Sequence, residues 1–179
     1  MFKIADNSNN ILIGSWVTLA HPAIAEIMAN AGFDWLAIDL EHSVITIREA
    51  EELIRVIDLC NSSPLVRLSS NDPVQIKRVM DAGSAGIILP MVRSIEDINK
   101  AFLAMHYPST GIRGVGLARA QGYGSTFQEY KGWLRENAVL IAQIENIDAV
   151  NNINSILSAD QVDGYLIGPY DLSASMGVP

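Results

Sequence analysis

Six short segments of this chain are apolar at successive positions rather than alternate ones, and amphipathic stretches separate them. A strand that is apolar on both faces must be covered on both faces. Few folds allow that, chiefly a parallel sheet with helices packed against it. The segments lie at residues 11–19, 35–40, 64–68, 86–90, 139–145 and 165–168. The stretches between them carry helix signals. Pro22 opens a helix that runs to Asn30, where Ala31-Gly32 stops it. Thr46 and Glu49 form a capping box for a helix to about Leu59, with Leu53, Val56 and Ile57 on its apolar face. Asn71-Asp72-Pro73 starts a third helix and Asp81-Ala82-Gly83 ends it. Further helices are expected over residues 94–105, 127–137 and 147–157. Residues 107–124 are Gly-rich and aperiodic, and so form a long loop of the sort that compact domains keep for function.

The polar residues able to do chemistry sit where these strands end. Asp39, Glu41 and His42 close the second, Arg67 the third and Glu145 the fifth, and Asp171 lies just past the sixth. In a parallel α/β barrel all strand C-termini share one face, so these side chains would meet around one pocket. The competing open doubly wound sheet lacks support, because no Gly-x-Gly-x-x-Gly follows the first strand. The expected fold is therefore a (β/α)8 TIM barrel. Such a barrel needs about 250 residues, and 179 residues supply about six βα units. The expectation is a single barrel domain over residues 1–179 that lacks the last two βα units. Either the chain is the N-terminal portion of a longer protein, or another chain completes the barrel.

Glu145 and Asp171, on neighbouring strand ends, could hold Mg²⁺ or Mn²⁺ and leave positions open for substrate and water. The alternative is local: Glu145 caps the following helix, and Asp171 caps a short turn before Leu172. Arg67 is permanently charged and suits an oxyanion, or an ion pair with Asp39 or Glu41. Histidine is the side chain type best suited to proton transfer near neutrality, which makes His42 the natural proton acceptor. His21 reads as a polar wall residue, and His106 as a helix-end cation. Asp81 reads as a helix-end residue facing away from the pocket. The four lysines, Lys3, Lys77, Lys100 and Lys131, all lie away from strand ends, which argues against imine chemistry.

Composition sets outer limits. With 49% hydrophobic and 18% charged residues the chain is globular, and its net charge of −8 disfavours a nucleic-acid or anionic-membrane partner. Cys60, the only cysteine, reads as a buried helix residue and fits a reducing, cytoplasmic setting. No uncharged apolar run approaches about 20 residues, so no transmembrane helix is expected. Residues 1–10 are polar, without the apolar core of a secretory leader.

One ordered set of motifs spans residues 14–177: Asp39-Leu40-Glu41-His42, Val66-Arg67, Asn71-Asp72-Pro73, Ile76-Lys77-Arg78-Val79, Pro90-Met91-Val92, Gly111-Ile112-Arg113-Gly114 with Ala118-Arg119-Ala120, Gln143-Ile144-Glu145 and Gly168-Pro169-Tyr170-Asp171-Leu172-Ser173. In order and spacing the set resembles the HpcH/HpaI aldolases, metal-dependent class II pyruvate aldolases. The resemblance implies a barrel that cleaves 4-hydroxy-2-oxo acids to pyruvate and an aldehyde. It implies that Glu145 and Asp171 bind a divalent metal, Mg²⁺ or Mn²⁺ with Co²⁺ as a further option. By the same resemblance His42 is the proton acceptor, Arg67 stabilises the transition state, and Asp81 raises the basicity of the histidine. Gln143 and the backbone at Tyr170 and Asp171 would contact substrate. It also implies a homo-oligomer, a hexamer, in which Asp81 could reach His42 of a neighbouring subunit.

The departures are Tyr170 where alanine is common, His21 where a small residue is common, and residues 43–46, which lack a Pro-Asn pair; they bear on which aldehyde is used. A citrate-lyase-like lyase acting on a CoA ester would need a basic pocket for the CoA tail, and no such cluster stands out. A catalytically inactive barrel acting as a binding or assembly module sits poorly with an intact set of acids, base and arginine.

Overall fold

Among the described residues every strand pairs in parallel with its sequence neighbour, so the sheet order follows the chain order. The computed structural model describes residues 11–179, so residues 1–10, including Lys3, lie outside the described part. The strands are β1 (Gly14–Val17), β2 (Trp35–Asp39), β3 (Ser63–Arg67), β4 (Gly86–Leu89), β5 (Val139–Ile144) and β6 (Gly164–Ile167). The helices between and after them are α1 (Pro22–Asn30), α2 (Ile47–Leu59), α3 (Pro73–Ala82), α4 (Ile95–Met105), α5 (Phe127–Asn137), α6 (Ile147–Asn151), α7 (Ile153–Leu157) and α8 (Pro169–Ser175). The result is an α/β fold whose six parallel strands form a curled half-barrel.

Successive strand residues point to opposite faces, and each face of this sheet has its own cluster. Leu36, Ile38, Val66, Ile87, Leu89, Leu140 and Ala142 pack outward against Ala25, Leu53, Ile57, Ile76, Met80 and Ile98 of the helices. The inner face holds a smaller cluster of Ala37, Leu65, Ala85, Ile88 and Val139, with Trp16, Trp35, Ile141 and Leu166 partly buried beside it. Gly14 lies in register with Trp35, and a side chain there would collide with the indole.

The helix boundaries follow the local chemistry. Thr46 N–H donates to Glu49 at 2.7 Å, and the Glu49 N–H returns a bond to Thr46. Asp72 accepts from the N–H groups of Val74 and Gln75, and Gly83 ends α3 at φ +99°. Four expectations are corrected. The first strand is short, because Ile13 N–H bonds the Asp34 carboxylate rather than a neighbouring strand. The helix expected over 147–157 is two, broken at Asn152, whose side chain donates to Arg93 O at 2.9 Å. Cys60 is the half-buried C-cap of α2, not a buried helix residue. The long loop contains a 3-10 segment, Arg119–Gly124. Among the described residues no helix is long and apolar enough to cross a membrane.

Candidate active site

The inner face carries polar side chains at the C-terminal ends of its strands. Asp39 and Arg67 are register partners on β2 and β3. Arg67 donates to both Asp39 oxygens, from Nε at 2.9 Å and from Nη2 at 2.6 Å. Asp39 Oδ1 also accepts from the N–H groups of Glu41 and His42, at 3.0 and 3.2 Å. Burial alone would raise the Asp39 pKa, but the bond from Arg67 and these N–H groups hold it below the ordinary aspartate value. The Arg67 guanidinium lies over Trp16, 4.5 Å from the ring centroid, with its Nε 3.5 Å from Glu41 Oε2. Clamped along one edge and stacked on one face, Arg67 is a fixed donor rather than a mobile surface charge.

Glu145, one residue past β5, is 1% exposed. Its Oε1 accepts from Met91 N–H at 2.6 Å and its Oε2 from Gln143 Nε2. Met91 reaches it from φ +52°, a left-handed conformation that a non-glycine residue holds only when its surroundings enforce it. Gly168, one residue past β6, crosses directly beside Glu145. A Cβ there would lie 2.8 Å from Glu145 Oε2. The helix-capping alternative for Glu145 is excluded, because Asn146 caps α6. Asp171 lies in the first turn of α8, exposed, with Tyr170 beside it at 87% exposure.

This corner has an excess of negative charge: Asp39, Glu41 and Glu145 against Arg67. Burial, and next the charge of Glu145, push the Glu41 pKa up, with Arg67 opposing. Among the described residues Glu41 Oε2 and Gln143 Oε1 are buried without a hydrogen-bond partner. Unpartnered oxygens beside crowded carboxylates are what a hard cation or its ligands would satisfy. No cluster of three or more His, Cys, Asp or Glu side chains with metal-binding geometry occurs among the described residues. A divalent ion on Glu145 and Asp171 would therefore draw its other ligands from substrate and water.

The remaining candidates fall elsewhere. His42 stands at the rim, its side chain 59% exposed and its Nε2 3.8 Å from Glu41 Oε2. Asp81 is in the last turn of α3, where Arg113 binds it, and it makes no ion pair with His42 within the chain. His21 is the N-cap of α1, accepting from Ala23 N–H at 3.2 Å. His106 is the C-cap of α4, at the helix end as expected, but it is buried, and burial pushes its pKa down, against the cationic form. Sequence reasoning gave no role to Trp16, or to Met91 within its motif. The inward alternation of β1 could have signalled Trp16; nothing local signals a left-handed methionine.

Residues 12–179 match the family model described as HpcH/HpaI aldolase/citrate lyase. The chain belongs to the HpcH/HpaI aldolase/citrate lyase family. A 4-hydroxy-2-oxo-heptane-1,7-dioate aldolase of Salmonella typhimurium is 42% identical over 98% of the chain, which spans 67% of that relative. An HpcH/HpaI aldolase/citrate lyase family protein from Burkholderia cenocepacia superposes with a TM-score of 0.89 at 31% identity, covering 96% of this chain and 69% of that one. An HpcH/HpaI aldolase from Desulfitobacterium hafniense gives 0.83 at 32%, covering 93% and 65%. The chain thus spans about two thirds of the length of its HpcH/HpaI relatives.

Proposed function

We propose that this chain forms the catalytic part of a metal-dependent aldolase that cleaves a 4-hydroxy-2-oxo acid to pyruvate and an aldehyde. Two further βα units would close its half-barrel. The observation that carries the reading is the corner just described: a guanidinium fixed by Asp39 and Trp16 lies within the electrostatic reach of a buried Glu145, itself beside the glycine that leads to Asp171. Glu145 and Asp171 would hold Mg²⁺ or Mn²⁺, whose chemistry is to polarise the 2-oxo group and draw off electron density as the C–C bond breaks.

The chain's own residues do the rest. His42 takes the proton from the C4 hydroxyl, and its exposed rim position lets it meet substrate entering from solvent. The electrons of the O–H bond form the aldehyde carbonyl, and those of the C3–C4 bond become the pyruvate enolate. The edge of Arg67 not taken by Asp39 faces the developing charge, already oriented, so little reorganisation is needed. Gln143, tied to Glu145 through its amide nitrogen, offers its unpartnered oxygen to substrate hydroxyls. Tyr170 and the backbone around it border the entrance, and Asp81 acts on His42 of a second subunit in a homo-oligomer.

The full-length protein should be assayed for release of pyruvate from 4-hydroxy-2-oxo acids with different aldehyde portions. Pyruvate release that needs Mg²⁺ or Mn²⁺ supports the reading. Activity on citryl-CoA-type esters alone would favour the lyase alternative, and no turnover of either would leave a binding module.

A further inference from the structure

Arg113 is a charged side chain buried among α3, α4 and α5. It is 2% exposed, and its guanidinium is enclosed on every side. Nη1 donates to Met105 O at 3.2 Å and to the Tyr130 hydroxyl at 3.1 Å. Its plane lies 4.6 Å from the Tyr107 ring and 5.5 Å from the Tyr130 ring. The remaining donors, Nε at 3.2 Å and Nη2 at 2.6 Å, converge on one atom, Asp81 Oδ1. Among the described residues Asp81 Oδ2 accepts no hydrogen bond. Asp81 is 22% exposed and lines a pocket of about 260 Å³ on the outer surface with Ile47, Glu51, Arg78, Arg119 and Tyr123.

A buried cation held by four other groups and spending two donors on a single carboxylate oxygen does two things. It anchors that carboxylate at one oxygen, and it fixes the direction of the other. We propose that Arg113 is a positioning residue for the reaction, setting Asp81 so that its free oxygen points outward into this pocket to receive the imidazole of a second copy's His42. The inference rests on the function proposed above and adds to it the residue that orients the acid. Lysine cannot replace it, because a single ammonium cannot brace both Tyr130 and Asp81 while lying flat against two rings.

The test is a double-mutant cycle in full-length, metal-loaded protein, with kcat, KM and the pH profile of pyruvate release measured for Arg113→Lys, Asp81→Asn and the pair. The expected result is that Arg113→Lys lowers kcat about tenfold with little change in KM and moves the acid limb of the profile to lower pH. In the Asp81→Asn background it should do neither. An equal loss in both backgrounds, or an unmoved acid limb, overturns the proposal and leaves Arg113 a packing residue. Tyr130→Phe, which removes one brace and keeps the charge, should give a smaller shift in the same direction, again only when Asp81 is present. If Arg113→Lys fails to fold, an unmoved limb in Tyr130→Phe overturns the proposal by itself. Full activity in Asp81→Asn would instead defeat the role given to Asp81, whatever Arg113 does.

Discussion

Arg67 and Asp39 meet across adjacent parallel strands as register partners, joined by two hydrogen bonds of 2.9 and 2.6 Å. The pair makes the arginine's direction a property of the sheet rather than of a flexible side chain. Removing the guanidinium should cost about 10²–10³ in rate, as for loss of one preorganised charge-stabilising group. Arg67→Ala should therefore lose pyruvate enolisation, read by solvent deuterium exchange at the methyl group. Asp39→Asn keeps the guanidinium but frees it, and should lose about tenfold or more in kcat. Near-normal exchange in Arg67→Ala would refute the role of Arg67.

Trp16 supports the same guanidinium from β1. A cation–π contact of this sort contributes about 0.5–2 kcal/mol. Trp16→Leu should lower kcat/KM by about two- to thirtyfold while leaving the melting temperature close to that of the parent. If kcat/KM is unchanged, the clamp by Asp39 suffices.

The carboxylate pair should make activity metal-dependent. Chelation should abolish pyruvate release, and Mg²⁺ or Mn²⁺ should restore it. Gly168→Ala gives a more local test, because the added methyl would sit 2.8 Å from Glu145 Oε2 and 2.9 Å from its Cβ. Glu145 must then shift. Calorimetry should show Mn²⁺ binding weakened by tenfold or more in Gly168→Ala. Unaltered affinity would place the ion elsewhere.

His106 should make stability pH-dependent. Burial, aided by the charge of Arg113, outweighs the carbonyls of Phe102 and Leu134 and holds its folded pKa below the ordinary value, which is about 6.5. Between those two values the unfolded chain binds the extra proton, so stability is complete above the unfolded pKa and falls as pH drops toward the folded one. Denaturation from pH 7.5 to 5 should show a smaller loss for His106→Gln than for the parent. Parallel losses would mean that other groups set the slope.

The parallel arrangement was legible because strands covered on both sides leave doubly apolar runs, and the gathering of Asp39, Arg67 and Glu145 at one end of the sheet was legible because charged residues close those runs. The contacts among them were not. That Arg67 takes Asp39 as its two-bond partner depends on strand register, and Met91 as the donor to Glu145 depends on a backbone conformation that its neighbours impose. The break at Asn152 was hidden because its cause, Arg93 O, lies 59 residues away in sequence. Arg113 appeared in a motif, but only burial shows it holding Asp81.

The six strands carry two unlike tasks at a spacing of one residue. Positions facing the helices hold most of the molecule's apolar packing, while the next positions along end in Asp39, Arg67 and Gln143. New chemistry could thus arise by exchanging side chains on one surface of the sheet while the opposite surface keeps the molecule folded. The same spacing makes a single-residue insertion within a strand doubly harmful, because it would turn the reactive groups into the oily layer and the oily groups into the pocket.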